Sequence, residues 1–376
     1  MNDLATFVAR EYFLRFDNQT EMTEEALAKY RHMSFMRENY VGFQKFEAFQ
    51  RARSLRTLLA VHVGAETRWN EFYLSNKILV DLLPQLPLLR VLSLRRFQIS
   101  EVPDSICSLK HLRYLNLSET RISKLPENVG NLYNLLTLIV FGCKKLTKLK
   151  LKKLRHFDIR NTPLLEKLPS GIGELKNLQT LTKIIVGGDG EFAIRELKGL
   201  KDIHGEISIE GLNKVQSSMH AREAKLSLKR ISKLVLKWDD GSRRETLDKE
   251  VLNDLKPNSD QLIMLVVKSY KGIEFPNWVG HPSFHQLVHV SLHGCRKCKS
   301  LPPLEKLPSL KELWIQGMDD VKVIDLELTR TNDVPFSSLE IPRFEYMSSW
   351  VVWSTNSEVM FPCLQELQIK KMPQFE

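Results

Sequence analysis

The sequence predicts an α/β solenoid: a curved parallel sheet on a concave face, irregular 3₁₀ or helical turns on the convex face, and a short helical N-terminal segment. Three observations predict it. Leucine supplies 58 of 376 residues, a share far above the ordinary. An L-x-x-L-x-L register recurs at offsets of 23 residues, from Leu89-x-x-Leu92-x-Leu94 to Leu112-x-x-Leu115-x-Leu117 to Leu135-x-x-Leu138-x-Val140. A second, proline-started pattern follows several of these units. Recurrence at this period is the signature of stacked supersecondary units, none of which can bury its apolar face alone.

Residues 1–50 read differently from the rest. Leu4, Phe7, Val8, Glu11 and Tyr12 have the spacing of a short amphipathic helix, Thr23–Tyr30 fit a second, and Arg31–Met36 fit a first strand or cap. The repeats are assigned to residues 51–376, opening with a unit at Leu55. Beyond the three units above, others start at Leu154, Leu178, Ile231, Leu262, Leu287, Leu310 and Leu364, with a weaker one at Leu339. In each, L-x-L puts two side chains on one face of a short strand and the intervening residue on the other. The residue after the strand, Cys143 or Cys295, is small and placed to hydrogen-bond the turn backbone. Val102-Pro103-x-x-Ile106-x-x-Leu109, Leu125-Pro126-x-x-Val129-x-x-Leu132 and Leu168-Pro169-x-x-Ile172-x-x-Leu175 predict 3₁₀-like convex turns. Insertions interrupt the register near 182–230 and 239–257. The first holds the Gly187-Gly188-Asp189-Gly190 loop, a strand at Ile207-x-Ile209 and a charged helix over Ser217–Lys229. The second holds a helix around Thr246–Leu255.

The chemistry of catalysis is missing from this pattern. The glycine loop lacks the spacing and the Lys-Ser/Thr of a phosphate loop, and no H-E-x-x-H occurs. Cys295-x-x-Cys298 has metal-ligand spacing but no second pair, and Cys295 sits at the turn position of its repeat, so both are read as structural. His285, His289 and His293 recur every fourth residue, but in a strand-centred unit that spacing makes no common helical face. The reading is non-enzymatic, with no cofactor and no metal. Five scattered cysteines fit reduced thiols, and no run approaches the ~20 apolar residues of a membrane helix.

Function is expected on the outward strand positions. Lys plus Arg outnumber Asp plus Glu by 55 to 45, for a net charge of +10. The excess reaches the early strands as Arg90, Arg95, Arg96, Arg113, Tyr114, Arg155 and Arg160. Like charges stacked at the ~5 Å strand spacing repel one another unless something offsets them, which points to an acidic partner. The later strands offer His289, His293, Trp314 and Gln316 as a second contact surface, with Trp314 as its anchor. No aromatic and basic stacking module argues for nucleic acid.

The strings LRVLSLRRFQISEVPDSICSLKHLRYLNLSETRISKLPENVGNLYNLLTLIVFGC, LKGLKDIHGEISIEGLNKV and FPNWVGHPSFHQLVHVSLHGCRKCKSLPPL resemble the leucine-rich-repeat region of plant intracellular coiled-coil NB-ARC–LRR disease-resistance proteins. The tryptophan pair within Phe344–Trp353 is similar too. Met1-Asn2-Asp3 resembles the Met-His-Asp segment that ends that family's winged-helix subdomain, with Asn2 in place of the histidine that reads the nucleotide. No phosphate loop or coiled coil precedes it. The resemblance implies a sensor and autoinhibitory arm in the cytoplasm, with access to the nucleus left open. Its early repeats would hold an NB-ARC-type domain, and its later repeats would meet a pathogen effector or a guarded host protein. The alternative is a generic repeat adaptor or scaffold, for example in protein turnover. Met372–Glu376 stop within a repeat, so an exposed apolar edge, or pairing with another chain, is expected there.

Overall fold

A computed structural model describes residues 12–16, 24–62, 71–148, 153–188, 191–239, 244–326, 334–355 and 361–371. The chain divides into two compact units, Met1–Leu178 and Gln179–Glu376. Each is built on a parallel sheet with one short strand per repeat.

In the first unit the strands run in chain order: β1 (Phe13–Phe16), β2 (His32–Met36), β3 (Thr57–Val61), β4 (Val91–Ser93), β5 (Tyr114–Asn116), β6 (Thr137–Ile139) and β7 (His156–Asp158). The register is strict. Leu14, Met33, Leu58, Leu92, Leu115, Leu138 and Phe157 stand side by side as one fully buried column. Leu94, Leu117, Val140 and Ile159 form a second column two residues on. Both columns follow from the two-residue alternation of a strand, multiplied by the repeat. A separate phenylalanine cluster of Phe16, Phe35, Phe46 and Phe49 packs at edge and tilted angles over the first strands.

The proline-started segments are 3₁₀ turns, as their three-residue apolar period predicts. Asp104–Ser108 bury Ile106 and Cys107, Glu127–Asn131 bury Val129, and Ile172–Glu174 bury Ile172. Beneath them the turn position works as expected. Thr120 Oγ1 and Cys143 Sγ donate to the Leu117 carbonyl at 2.8 and 3.0 Å, and Thr162 Oγ1 donates to the Ile159 carbonyl.

One expectation for residues 1–50 is corrected. Phe13–Phe16 are a strand paired in parallel with β2, so the sheet has begun well before residue 51. Phe13-Leu14-Arg15-Phe16 alternate in burial, and that alternation, not helical spacing, decides the local structure. The helix α1 (Glu24–Lys29) matches the second predicted helix. The first lies outside the described residues except for Tyr12, which is a turn residue.

The sheet of the second unit is ordered β8 (Lys183–Ile185), β9 (His204–Glu210), β10 (Arg230–Lys237), β11 (Met264–Lys268), β12 (His289–His293), β13 (Glu312–Gln316), β15 (Ile341–Glu345) and β17 (Gln368–Lys370). Strand β14 (Val323–Leu326) pairs separately with β16 (Val352–Thr355). The insertions carry α2 (Ser218–Glu223), which Ser217 caps through its hydroxyl, and α3 (Glu245–Asp254). The charged helix predicted over Ser217–Lys229 is shorter than expected: Lys225 adopts a left-handed φ of 51°, and a 3₁₀ turn, Leu226–Leu228, replaces the rest. Phe344, Trp350 and Trp353 form one aromatic cluster with centroids 5.1 to 5.5 Å apart, which accounts for the tryptophan pair.

Candidate functional site

The predicted arginines fall into two sets with different fates. Arg90, Arg113 and Arg155 each precede a strand by one residue. Backbone hydrogen bonds link these positions rung to rung: Arg56 N to Arg31 O, Arg90 N to Arg56 O, Arg113 N to Arg90 O, Leu136 N to Arg113 O and Arg155 N to Leu136 O. The same row therefore reads Arg31, Arg56, Arg90, Arg113, Leu136, Arg155. Among the described residues none of these five guanidinium groups has an ion-pair partner, and Arg31, Arg113 and Arg155 are exposed. Arg31 also lies over the Tyr12 ring at 4.8 Å.

The other set is engaged within the fold. Arg95 and Arg96 both reach Glu119, each at 3.2 Å, and Arg160 clasps Asp158 with Nη2 at 2.7 Å and Nε at 3.0 Å. The expected single line of Arg90, Arg95, Arg113, Arg155 and Arg160 is thus two lines. Arg95 and Arg160 sit past the strand in a row interrupted by Ser118 and Phe141. The reason is the repeat itself, which places residues five apart on opposite ends of one strand. Tyr114 is half-buried beside the free row, its hydroxyl facing Asn116 Nδ2 at 3.4 Å.

His32, next to Arg31 in sequence, reports the field of that row. Burial lowers its pKa most, and the charges of Arg56 and Arg31 lower it further. Sequence reasoning misses Arg31 and Arg56. The repeat around Arg31 has Tyr30, Met33 and Phe35 where leucines usually stand, so only the register of the β2–β3 pairing brings it into line.

On the second unit, β12 and β13 bring the four later candidates together. His289 Nδ1 donates to Glu312 at 3.0 Å, and its Nε2 lies 2.9 Å from the Ser291 hydroxyl. His293 Nδ1 donates to Gln316 at 3.1 Å, and Gln316 Nε2 donates on to Glu345 at 3.1 Å. The His293 and Trp314 rings meet edge to face, 4.6 Å between centroids. Burial lowers the His293 pKa, with Lys268 and His289 adding to it and Gln316 and Glu345 opposing, so the ring is neutral at pH 7. Trp314 is half-buried, with its indole N–H enclosed and lacking an acceptor. Arg343, the register partner of Trp314 on β15, has its Nε in the same state. Sequence reasoning misses Arg343 because its repeat carries proline and phenylalanine at the leucine positions.

Cys295 and Cys298 are buried thiols facing backbone carbonyls. Desolvation pushes Cys295 up to about 12 and Cys298 higher still. Among the described residues no group of His, Cys, Asp and Glu is placed to hold a metal, and no helix is long and apolar enough to cross a membrane.

Residues 194–318 match the R13L1/DRL21 family of leucine-rich repeats, and residues 111–132 match a general leucine-rich repeat. Two Arabidopsis thaliana proteins named for disease resistance align along the chain. One is 36% identical over 99% of this chain and 27% of its own length. The other, an RPP13-like protein, is 34% identical over 100% of this chain and 37% of its own length. A Solanum bulbocastanum disease-resistance protein, RGA4, is 36% identical over 78% of this chain and 31% of its own length. The chain thus spans about a third of the length of the curated relatives it matches. Among solved structures, a Listeria monocytogenes internalin aligns over 99% of this chain and 91% of its own, at 13% identity and a TM-score of 0.46. By its own strand register and the matches in sequence, the chain is a leucine-rich-repeat region similar to those of plant disease-resistance proteins.

Proposed function

We propose that this chain is a non-catalytic protein-recognition module of plant innate immunity, acting in the cytoplasm as a sensor and autoinhibitory arm. The first unit contacts an acidic surface of an NB-ARC-type domain through Arg31, Arg56, Arg90, Arg113 and Arg155. The second unit contacts a pathogen effector or a guarded host protein through His289, His293, Trp314 and Gln316. The observation that carries the first contact is the unpaired arginine row. Unlike Arg95, Arg96 and Arg160, its members hold no carboxylate, and their mutual repulsion falls when a partner supplies negative charge. The half-buried Trp314, with its indole N–H unpaired and Arg343 beside it, supports the second contact as an anchor.

The test is a binding measurement of the chain against a separately expressed NB-ARC domain of the same class. Reversing Arg56, Arg90 and Arg113 to Glu is expected to weaken binding by at least about tenfold at low salt. Reversing Arg95 and Arg160 should cost far less. Equal effects from the two triple and double variants, or none from either, would count against the reading and favour a generic repeat adaptor.

A further inference from the structure

The free row has a spacing, and spacing selects a partner. Its rungs follow the strands, so successive arginine positions lie ~4.8 Å apart. Four consecutive rungs carry arginine, the fifth carries Leu136, and the sixth carries Arg155. Glu119 and Asp158, carried by the same repeats, are both held by arginines outside the row. We propose that the row is a docking strip for an α-helix lying across the strands, with a stripe of acidic residues and one apolar residue facing Leu136. This rests on the reading of the first unit as an acidic-partner surface and names the form of that partner.

The argument is one of pitch. A helix brings side chains back to one face every ~5.4 Å, a mismatch of ~0.6 Å per rung against the row. Over three steps the drift is ~2 Å, which arginine rotamers absorb. An extended strand repeats a face every ~6.8 Å, a mismatch of ~2 Å per rung. Over the same three steps it slips by ~6 Å, more than a whole rung, so its acids fall out of register. A helix meeting the strip needs acids near i, i+4, i+7 and i+11, an apolar residue near i+14 and an acid near i+18. Such a stripe repels itself in isolation, as the arginine row does, and docking relieves both at once.

The experiment uses the full chain and labelled synthetic peptides of equal length and net charge. One is a bridged helix with the acidic stripe and its apolar residue, one a bridged helix with the same residues spread around its circumference, and one a strand-forming peptide of alternating Glu. A single-stranded RNA of equal charge is the fourth probe. Anisotropy is read at low and moderate salt, and the His32 ring is titrated by NMR in the free and bound chain. The striped helix is expected to bind about tenfold or more tighter than each other probe. It should also raise the His32 pKa by offsetting Arg31 and Arg56. R56E/R90E should abolish both effects. Equal binding by the spread helix, the alternating peptide or the RNA overturns the proposal, as does a His32 pKa that stays in place when the striped helix is bound. Were the NB-ARC domain still lost from the row variant in that case, the acidic-partner reading would stand and only the helical form would fall.

Discussion

A single backbone position recurs in many repeats of both units: the residue that turns the chain just past the strand. It has a left-handed φ at Arg96, Glu119, Gly142 and Asn161 in the first unit, and at Ser269, Gly294, Gly317, Tyr346 and Lys371 in the second. Each lies seven residues beyond the leucine-type residue that opens its unit. The conformation costs a side-chain-bearing residue about 1 kcal/mol, so the repeat imposes it against local preference. Gly294 tests this cleanly, because a Cβ there would meet nothing closer than 3.6 Å and the penalty is purely torsional. Gly294→Ala is expected to lower stability by about 1 kcal/mol in urea denaturation, with no change in the slope of the transition. No change in midpoint would mean that the turn is free to relax. The sequence hides this position because its identity varies from arginine to tyrosine. The leucine columns, by contrast, are legible, because burial tolerates so few residue types there. The same contrast governs the candidate sites. Arg90, Arg113 and Arg155 are readable because leucines flag their repeats, whereas Arg31 and Arg343 stand in units whose leucines are replaced.

Elements in this fold are short, so their ends need partners from other repeats. The 3₁₀ segment Ile194–Gly199 finishes beneath Lys229, whose buried ammonium donates to the carbonyls of Leu197 at 2.9 Å and Leu200 at 2.5 Å. Burial lowers the Lys229 pKa to about 8, with Asp202 opposing. The enclosure disfavours the charge, and the two carbonyls are what make a lysine useful there. Lys229→Met keeps the aliphatic stem and removes the donor. It is expected to destabilise the chain by about 1–3 kcal/mol in urea denaturation, the cost of buried carbonyls left short of a donor. An unchanged or raised stability would show that desolvating the ammonium outweighs its bonds. The predicted helix over Ser217–Lys229 fails at this place for the same reason: its last residue is committed to capping another element.

For the molecule as a whole, acid is the informative variable. His32 in the first unit and His293 in the second both have pKa values lowered by burial and by nearby cationic groups. A histidine released on unfolding returns to about 6.5, so below that pH the unfolded chain binds more protons than the folded one. Their contribution is complete above about pH 6.5 and is lost as pH falls through the lowered folded values. The urea midpoint should therefore decline between pH 7 and pH 5.5, and H32Q/H293Q should flatten that decline. A double variant as acid-sensitive as the parent would assign the loss to carboxylates instead.

The unbroken register from β10 to β15 has an evolutionary consequence. Lys233, Met264, His289, Glu312 and Ile341 occupy one outward row, and Val235, Val266, Ser291, Trp314 and Arg343 another, while Leu234, Leu265, Val290, Leu313 and Pro342 lie beneath. Outward and inward residues alternate, so a substitution at an exposed outward site such as Glu312 leaves the leucine layer beneath in place, whereas Val266 and Ser291 are themselves buried among their neighbours. The exposed cells sit on a fixed frame, but those of β12, β13 and β15 are tied to one another through His289–Glu312, His293–Gln316 and Gln316–Glu345. On the proposed recognition surface, change is therefore channelled: exposed positions can vary over a constant leucine layer, while the bonded ones must vary together.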